Sequence, residues 1–114
     1  MDFKNQSPIF IQIADLIMNA VLSGQLKAGD RIESVREMAA KVQVNPNTVH
    51  RAFAYLQDRG IIFNQRGVGY FVDPEALNRT QALKKKEFMD QYLPEFVKRM
   101  KLLDLKPDDL KKYF

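Results

Sequence analysis

The stretch Ser34-Val35-Arg36-Glu37-Met38-Ala39-Ala40-Lys41-Val42-Gln43-Val44-Asn45-Pro46-Asn47-Thr48-Val49-His50-Arg51-Ala52-Phe53 decides how the rest of the chain is read. Ser34 and Glu37 have the spacing of a capping box, in which each side chain satisfies a backbone N–H that the other end of the first turn leaves exposed. Val35, Met38, Ala39 and Val42 supply the buried side of the short helix that follows. Gln43-Val44 leaves room only for a tight turn. Asn45-Pro46 then starts another helix, with Asn as the cap and Pro at the first position, where its missing N–H costs nothing. The spacing predicts that this helix runs from about Pro46 to Arg59 and stops at Gly60.

On a helical wheel, Ala52, Phe53 and Leu56 fall within about 60° of Val49, while Asn47, Arg51, Ala54 and Asp58 lie on the opposite side. His50 and Thr48 flank the two faces. Two helices joined by a turn of about three residues, the second with a polar outer face, form a helix-turn-helix. Downstream, Ile61-Ile62-Phe63 and Tyr70-Phe71-Val72 are β-prone runs around Asn64-Gln65-Arg66-Gly67-Val68-Gly69, the pattern of a hairpin with a basic, glycine-bearing tip. A hairpin directly after a helix-turn-helix is a wing. Upstream, Ser7-Pro8 repeats the cap-plus-proline start. Ile9, Ile13, Leu16, Ile17, Ala20 and Val21 give a first helix its apolar stripe, with Gly24 as its stop. Arg31-Ile32-Glu33 is expected to form at most a very short strand.

Asp73-Pro74 is expected to end this unit, so that residues 1–73 form a winged helix-turn-helix domain and residues 74–114 a helical tail. In the tail, Leu83, Phe88, Met89, Tyr92, Leu93, Phe96, Val97, Met100 and Leu103 follow three- and four-residue steps. Pro94 should bend or split the tail helix near residues 90–93. Leu105-Lys106 reads as a break before a last short helix that starts at Pro107-Asp108-Asp109, with acids at its positive end. The expected fold class is mainly α with a small β-hairpin.

The 114 residues suffice for one small domain and an appendage. With 46% hydrophobic residues, the chain can build a core and is not a disordered polypeptide. Eighteen Lys and Arg against fourteen Asp and Glu leave a net charge of +4, which permits a polyanionic partner without demanding one. Residues 31–72 hold six basic and three acidic groups, and residues 74–114 hold ten and seven, a net of +3 in each segment. The absence of Cys removes any disulfide framework and fits a cytoplasmic setting; with a single His, it also excludes a Cys/His zinc site. Met1 to Gln6 lack the layout of a signal peptide, and no apolar run approaches the ~20 residues that span a bilayer, so no membrane association is expected.

Residues 7–72 resemble the winged helix-turn-helix of the GntR family of bacterial transcription regulators, in particular its YtrA-like subfamily. The resemblance is carried by Ser7-Pro8-Ile9-Phe10, Gln12-Ile13-Ala14 and the run from Ser23-Gly24 through Ala28-Gly29-Asp30-Arg31-Ile32. It continues in Ser34 to Ala39, Val44-Asn45-Pro46-Asn47-Thr48-Val49, Arg51-Ala52, Gly60, Arg66-Gly67, Gly69 and Phe71-Val72. It covers more than half the chain, in order and without gaps. Glu33 departs from it, standing where the family pattern usually has Pro. The resemblance implies a homodimer that binds a double-stranded DNA operator, usually as a repressor at an inverted repeat, with the tail making the dimer.

The same resemblance sets Arg36 against the DNA backbone or a guanine edge; the alternative is a surface Arg paired with Glu33 or Asp30. Asn47, Thr48, His50 and Arg51 occupy the first turn and a half of the recognition helix, where side chains reach bases or phosphates. Arg can bind guanine and Asn adenine through paired hydrogen bonds. Against that, Asn47 and Thr48 could simply support the helix start, and Arg51 could pair with an acid. Arg66, beside Gly67, suits insertion into a narrow minor groove or a solvated turn.

Gly67-Val68-Gly69 lacks the Lys-Ser/Thr and the strand-loop-helix context of a phosphate loop. His50 has no Cys and no carboxylate partner at helical spacing, so no enzyme activity and no cofactor are expected. Phe88, Met89, Tyr92, Phe96, Met100 and Leu103 are the candidate dimerisation residues. A small-molecule pocket lined by Phe88, Tyr92, Phe96 and Tyr113 is the less simple account, and no effector is assigned. A winged helix serving as a protein–protein adaptor is the rival function, but it would show apolar residues on the recognition helix.

Overall fold

A computed structural model describes residues 7–114 of the chain. The reading of Met1 to Gln6 as something other than a signal peptide lies outside those residues. Helix α1 covers Ile9–Leu22, α2 Val35–Val42 and α3 Pro46–Asp58. Strands β1 (Ile62–Gln65) and β2 (Gly69–Val72) follow, then α4 (Ala76–Glu87), a π turn (Phe88–Tyr92), α5 (Leu93–Leu102) and a 3-10 helix (Pro107–Tyr113). The chain divides into two compact units, residues 1–81 and 82–114.

The capping box forms as the sequence requires. The Glu37 N–H donates to Ser34 Oγ at 3.1 Å, and the Ser34 N–H donates to Glu37 Oε1 at 3.0 Å. Asn45 caps α3 by accepting the Asn47 N–H at 2.8 Å. Gly60, at φ +72°, turns the chain out of α3 through the left-handed region that a glycine adopts freely. The turn between α2 and α3 has no glycine, and Gln43 takes the left-handed conformation instead, at φ 57° and ψ 53°. Such a backbone costs a side-chain-bearing residue about 1–2 kcal/mol.

Helix α1 corrects the sequence reading in two ways. Ser7 is not a cap: α1 begins at Ile9 after Pro8, no side chain caps it, and the Pro8 carbonyl accepts the Ile11 and Gln12 N–H groups. The buried arc is also rotated toward Ala14 and Met18, which join Ile13, Ile17 and Val21 in the core. Ile9 and Leu16 fall on its far edge and remain about half exposed, at 52% and 56%.

The core of the first unit is Ile13, Ala14, Ile17, Met18 and Val21 of α1, Met38 and Ala39 of α2, and Val49, Ala52, Phe53 and Leu56 of α3. Ile32, Ile61, Ile62 and Val72 close it from the wing side. The hairpin is antiparallel, pairing Ile62 with Val72 and Gln65 with Gly69. Arg31 adds one bridge to Phe71, so the expected short strand shrinks to a single residue pair. The unit runs on past Asp73 to Gln81, because α4 buries Ala76 and Thr80. The boundary expected at Asp73 therefore falls eight residues before the edge of the compact unit.

In the second unit, the split expected from Pro94 takes the form of the π turn. Proline has no N–H to return to a preceding carbonyl, and its ring crowds the turn before it. Widening that turn accommodates both, and the Leu93 N–H bonds to the Phe88 carbonyl, five residues back. The helix ends at Leu103-Asp104, with Asp104 at φ 55° and the Leu105 N–H returning to the Met100 carbonyl at 2.8 Å. The last segment is a 3-10 helix whose Asp109 carboxylate accepts the Lys106 N–H. Among the described residues, no helix is long and apolar enough to cross a membrane.

Candidate nucleic-acid interface

The recognition helix α3 is anchored on one side and free on the other. Val49, Ala52, Phe53 and Leu56 are fully buried, whereas Asn47, His50, Arg51, Ala54 and Asp58 are exposed, and Thr48 is half-buried between the faces. Phe53 also fixes the wing: its ring meets Tyr70 of β2 edge to face at 4.8 Å. The polar face and the hairpin thus belong to one packed body, and their relative placement is set by the core.

The wing ends in a tight tip. The Val68 N–H donates to the Gln65 carbonyl at 2.8 Å, and Gly67 sits at φ +77° with open space where a side chain would be. Arg66 is exposed beside it and has no acidic partner among the described residues. A bare, cationic tip of this kind can approach a polyanion closely.

Arg36 is exposed in the first turn of α2, and both acids that could have neutralised it are otherwise engaged. Glu33 Oε1 pairs with Lys41 Nζ at 2.9 Å, and Asp30 Oδ2 accepts the Lys27 N–H at 2.8 Å. The Lys41 hydrogen bond, the largest influence on Glu33, holds its carboxyl below the ordinary carboxylate range. The negative charge at the position where the family pattern has Pro is therefore compensated within the chain.

Arg51 has an aromatic partner in place of the acid considered from sequence. Its guanidinium lies 4.1 Å from the centre of the Phe10 ring, which meets Tyr55 edge to face at 6.2 Å. Arg59 stacks on the other member of that pair, 3.5 Å from the Tyr55 ring. Stacking leaves the guanidinium hydrogen-bond donors unspent, so Arg51 is oriented but not neutralised.

One basic residue close to the wing went unassigned in the sequence. Arg31 is exposed and lies across Gly69, its Nε only 3.0 Å from where a Cβ would stand. Its guanidinium thus lies at the tip end of the hairpin, where Gly69 pairs with Gln65. The signal was the glycine itself, at φ +143° in the second strand, which a close neighbour requires. Among the described residues, no cluster of three or more His, Cys, Asp or Glu is placed to hold a metal ion.

The family profile described as "Bacterial regulatory proteins, gntR family" matches residues 11–72, from α1 to the end of the wing. The chain belongs to the GntR family. The transcriptional regulator YhcF of Bacillus subtilis is 38% identical over 108 residues, which cover 95% of this chain and 88% of that protein. The transcriptional repressor YtrA of Bacillus subtilis is 38% identical over 76 residues, covering 67% of this chain and 58% of YtrA, and the YtrA-like subfamily fits. A GntR family transcriptional regulator from Listeria monocytogenes superposes with a TM-score of 0.76 at 32% identity, covering 94% of this chain and 92% of that one. The protein is a transcriptional regulator with a DNA-binding winged helix, and its relatives are regulators, not enzymes.

Proposed function

We propose that this chain is a cytoplasmic repressor that binds an inverted-repeat operator as a homodimer. The observation that carries it is the company of unpaired cations: Arg36 at the start of α2 and Arg66 at the wing tip are exposed, as is the polar face of α3 in the same compact unit, and neither has an acidic partner among the described residues. A DNA backbone supplies the missing anions, leaving Asn47, Thr48, His50 and Arg51 to face base edges or phosphates. The polar face also speaks against an adaptor role, which would need an apolar one. The name of the relative YtrA supports repression as the direction of control.

The tail supports the dimer. Phe88, Met89, Tyr92 and Phe96 stand 38–54% exposed, and Leu103 69% exposed. Only Met100 of the candidate dimerisation residues is half-buried. Such side chains are ordinarily covered by a partner, and a second copy gives the two-fold arrangement that an inverted repeat requires.

Selection of bound fragments from a random DNA pool tests the reading. An inverted repeat is expected, held against unrelated competitor DNA. Arg51→Ala is expected to relax the preference at fixed positions of each half-site, with a cost of about 1–3 kcal/mol per lost base contact. Recovery of no common sequence would overturn the proposal.

A further inference from the structure

Two arginines of α3 and its C-terminal end rest on two rings. Phe10 stands in the first turn of α1, half-buried, and meets the Tyr55 ring edge to face at 6.2 Å. Arg51 and Tyr55 lie one turn apart on α3, along which α1 packs, so their side chains share one side of that helix. Arg51 lies over the Phe10 ring, 4.1 Å from its centre, and Arg59 over the Tyr55 ring at 3.5 Å. The two contacts look alike, but the two cations are committed differently. Arg59 Nη1 donates to the Tyr55 carbonyl at 3.3 Å and lies 3.8 Å from Asp58 Oδ2. Among the described residues, the Arg51 guanidinium donates no hydrogen bond and joins no ion pair.

An unsupported arginine must give up its rotational freedom to present its fork to a base edge, at a cost in affinity of about two- to tenfold. A ring under the guanidinium removes much of that freedom in advance and, by touching only the face, leaves the edge N–H groups to a partner. Paired hydrogen bonds to O6 and N7 of guanine need both properties, a fixed plane and a free edge. Contacts to phosphate carry no sequence information, so a platform that fixes one plane is of most use at a base. The platform is itself held in place. Phe10 lies on the helix whose next turn buries Ile13 and Ala14 in the core, and Tyr55 braces its ring from the α3 side.

We infer that Phe10, a residue of α1 outside the helix-turn-helix, is a positioning residue that sharpens base preference by holding Arg51 in the orientation that reads a guanine in each half-site. The inference rests on the operator-binding function proposed above and deepens it. Phe10 need touch no DNA, because its effect passes through Arg51. The ring is what matters. Tyr in its place keeps a face for the guanidinium, whereas Leu or Met keeps apolar bulk without one.

The test uses the full chain, its Phe10→Leu, Phe10→Tyr and Arg51→Ala variants, and the double variant that joins Phe10→Leu to Arg51→Ala. Each is titrated against the selected operator and against operators with single base pairs changed. The parent is expected to prefer guanine at one position of each half-site by about tenfold or more, and Arg51→Ala to lose that preference. Phe10→Leu is expected to lose about two- to tenfold of the discrimination at that position. Its preferences elsewhere and its salt dependence should match the parent's, since no charge has been removed. Phe10→Tyr should discriminate as the parent does. The double variant should discriminate no worse than Arg51→Ala alone, as two residues acting through one contact require. If thermal melting shows that Phe10→Leu fails to fold, Phe10→Met takes its place with the same expectation. Parent-like discrimination by the folded variant, a loss spread evenly over all positions, or an Arg51→Ala protein that keeps the guanine preference would overturn the inference while leaving operator binding intact. A parent that recognises no inverted repeat at all would overturn both.

Discussion

The two units of this chain make opposite use of similar apolar content. In the first, α1, α2 and α3 turn their apolar residues inward, and every buried residue among those described lies at or before Thr80. In the second, Phe88, Tyr92, Phe96, Leu102, Leu103 and Tyr113 are left exposed, Leu102 at 77% and Tyr113 at 72%. The difference follows from geometry. Three crossing helices and a hairpin enclose a volume, while about thirty residues of bent helix cannot surround their own large side chains. An apolar stripe read from sequence therefore says that a surface will be covered, but not by what.

Removing the second unit should have the largest effect. A chain ending at Gln81 keeps Ala76, Thr80 and the bond from Arg79 to the Gly60 carbonyl, and is expected to fold, to run as a monomer in light scattering and to bind an inverted repeat more weakly by roughly 10²–10⁴. Ending at Asp73 instead would strip buried groups from the core and should also lower the melting temperature. Equal binding by the shortened chain would break the contrast between a reading unit and a pairing unit.

Single truncations of side chains sharpen the same contrast. Phe53→Ala opens a cavity in the core of the first unit and should cost about 3–5 kcal/mol of its stability. Phe96→Ala should leave melting of the first unit unchanged and weaken self-association, as measured by sedimentation over a range of protein concentrations. A stable Phe53→Ala protein, or unaltered association in Phe96→Ala, would contradict the division.

A smaller gain is expected at the turn of the helix-turn-helix. Gln43→Gly removes a side chain from a left-handed backbone and should stabilise the first unit by about 1 kcal/mol in denaturant unfolding, an effect offset in part by the freedom that glycine adds to the unfolded chain.

The smallest effect depends on pH. The Ser34 backbone N–H, followed by the Ser34 hydroxyl, holds the Glu37 carboxyl below its ordinary range. A carboxyl lowered in the folded state contributes stability above its unfolded pKa, and that contribution is lost as pH falls through the folded value. Glu37→Gln keeps an acceptor for the box but not the charge. It should melt slightly below the parent near neutral pH, with the gap closing in acid. A gap independent of pH would show that ionisation of Glu37 is not what matters.

The sequence was most legible where local chemistry is self-sufficient. Ser34-Val35-Arg36-Glu37 and Asn45-Pro46 place their own hydrogen-bond partners a few residues away, and both helix starts form as read. Ser7-Pro8 has the same look, yet the Ser7 side chain does not cap, so residue type alone did not settle the geometry. Ile9 and Leu16 lie outside the core because the stripe is wide, and which edge is buried depends on where α3 crosses it. Of the candidate interface, the exposed face of α3 and the wing tip followed from period and turn chemistry. The Arg51–Phe10 stack and the Arg79–Gly60 bond join residues far apart in the sequence, and no local pattern announces them.

The central claim is that one unit reads DNA and the other pairs two copies so that both read together. The mass of the full chain in solution and on a duplex bearing the selected inverted repeat tests it most directly, by light scattering at micromolar concentration. The account predicts two chains in the free state and the same two chains on each duplex, with no change of stoichiometry on binding. A free monomer that loads the two half-sites one after the other, each with the affinity of a lone half-site, would contradict it.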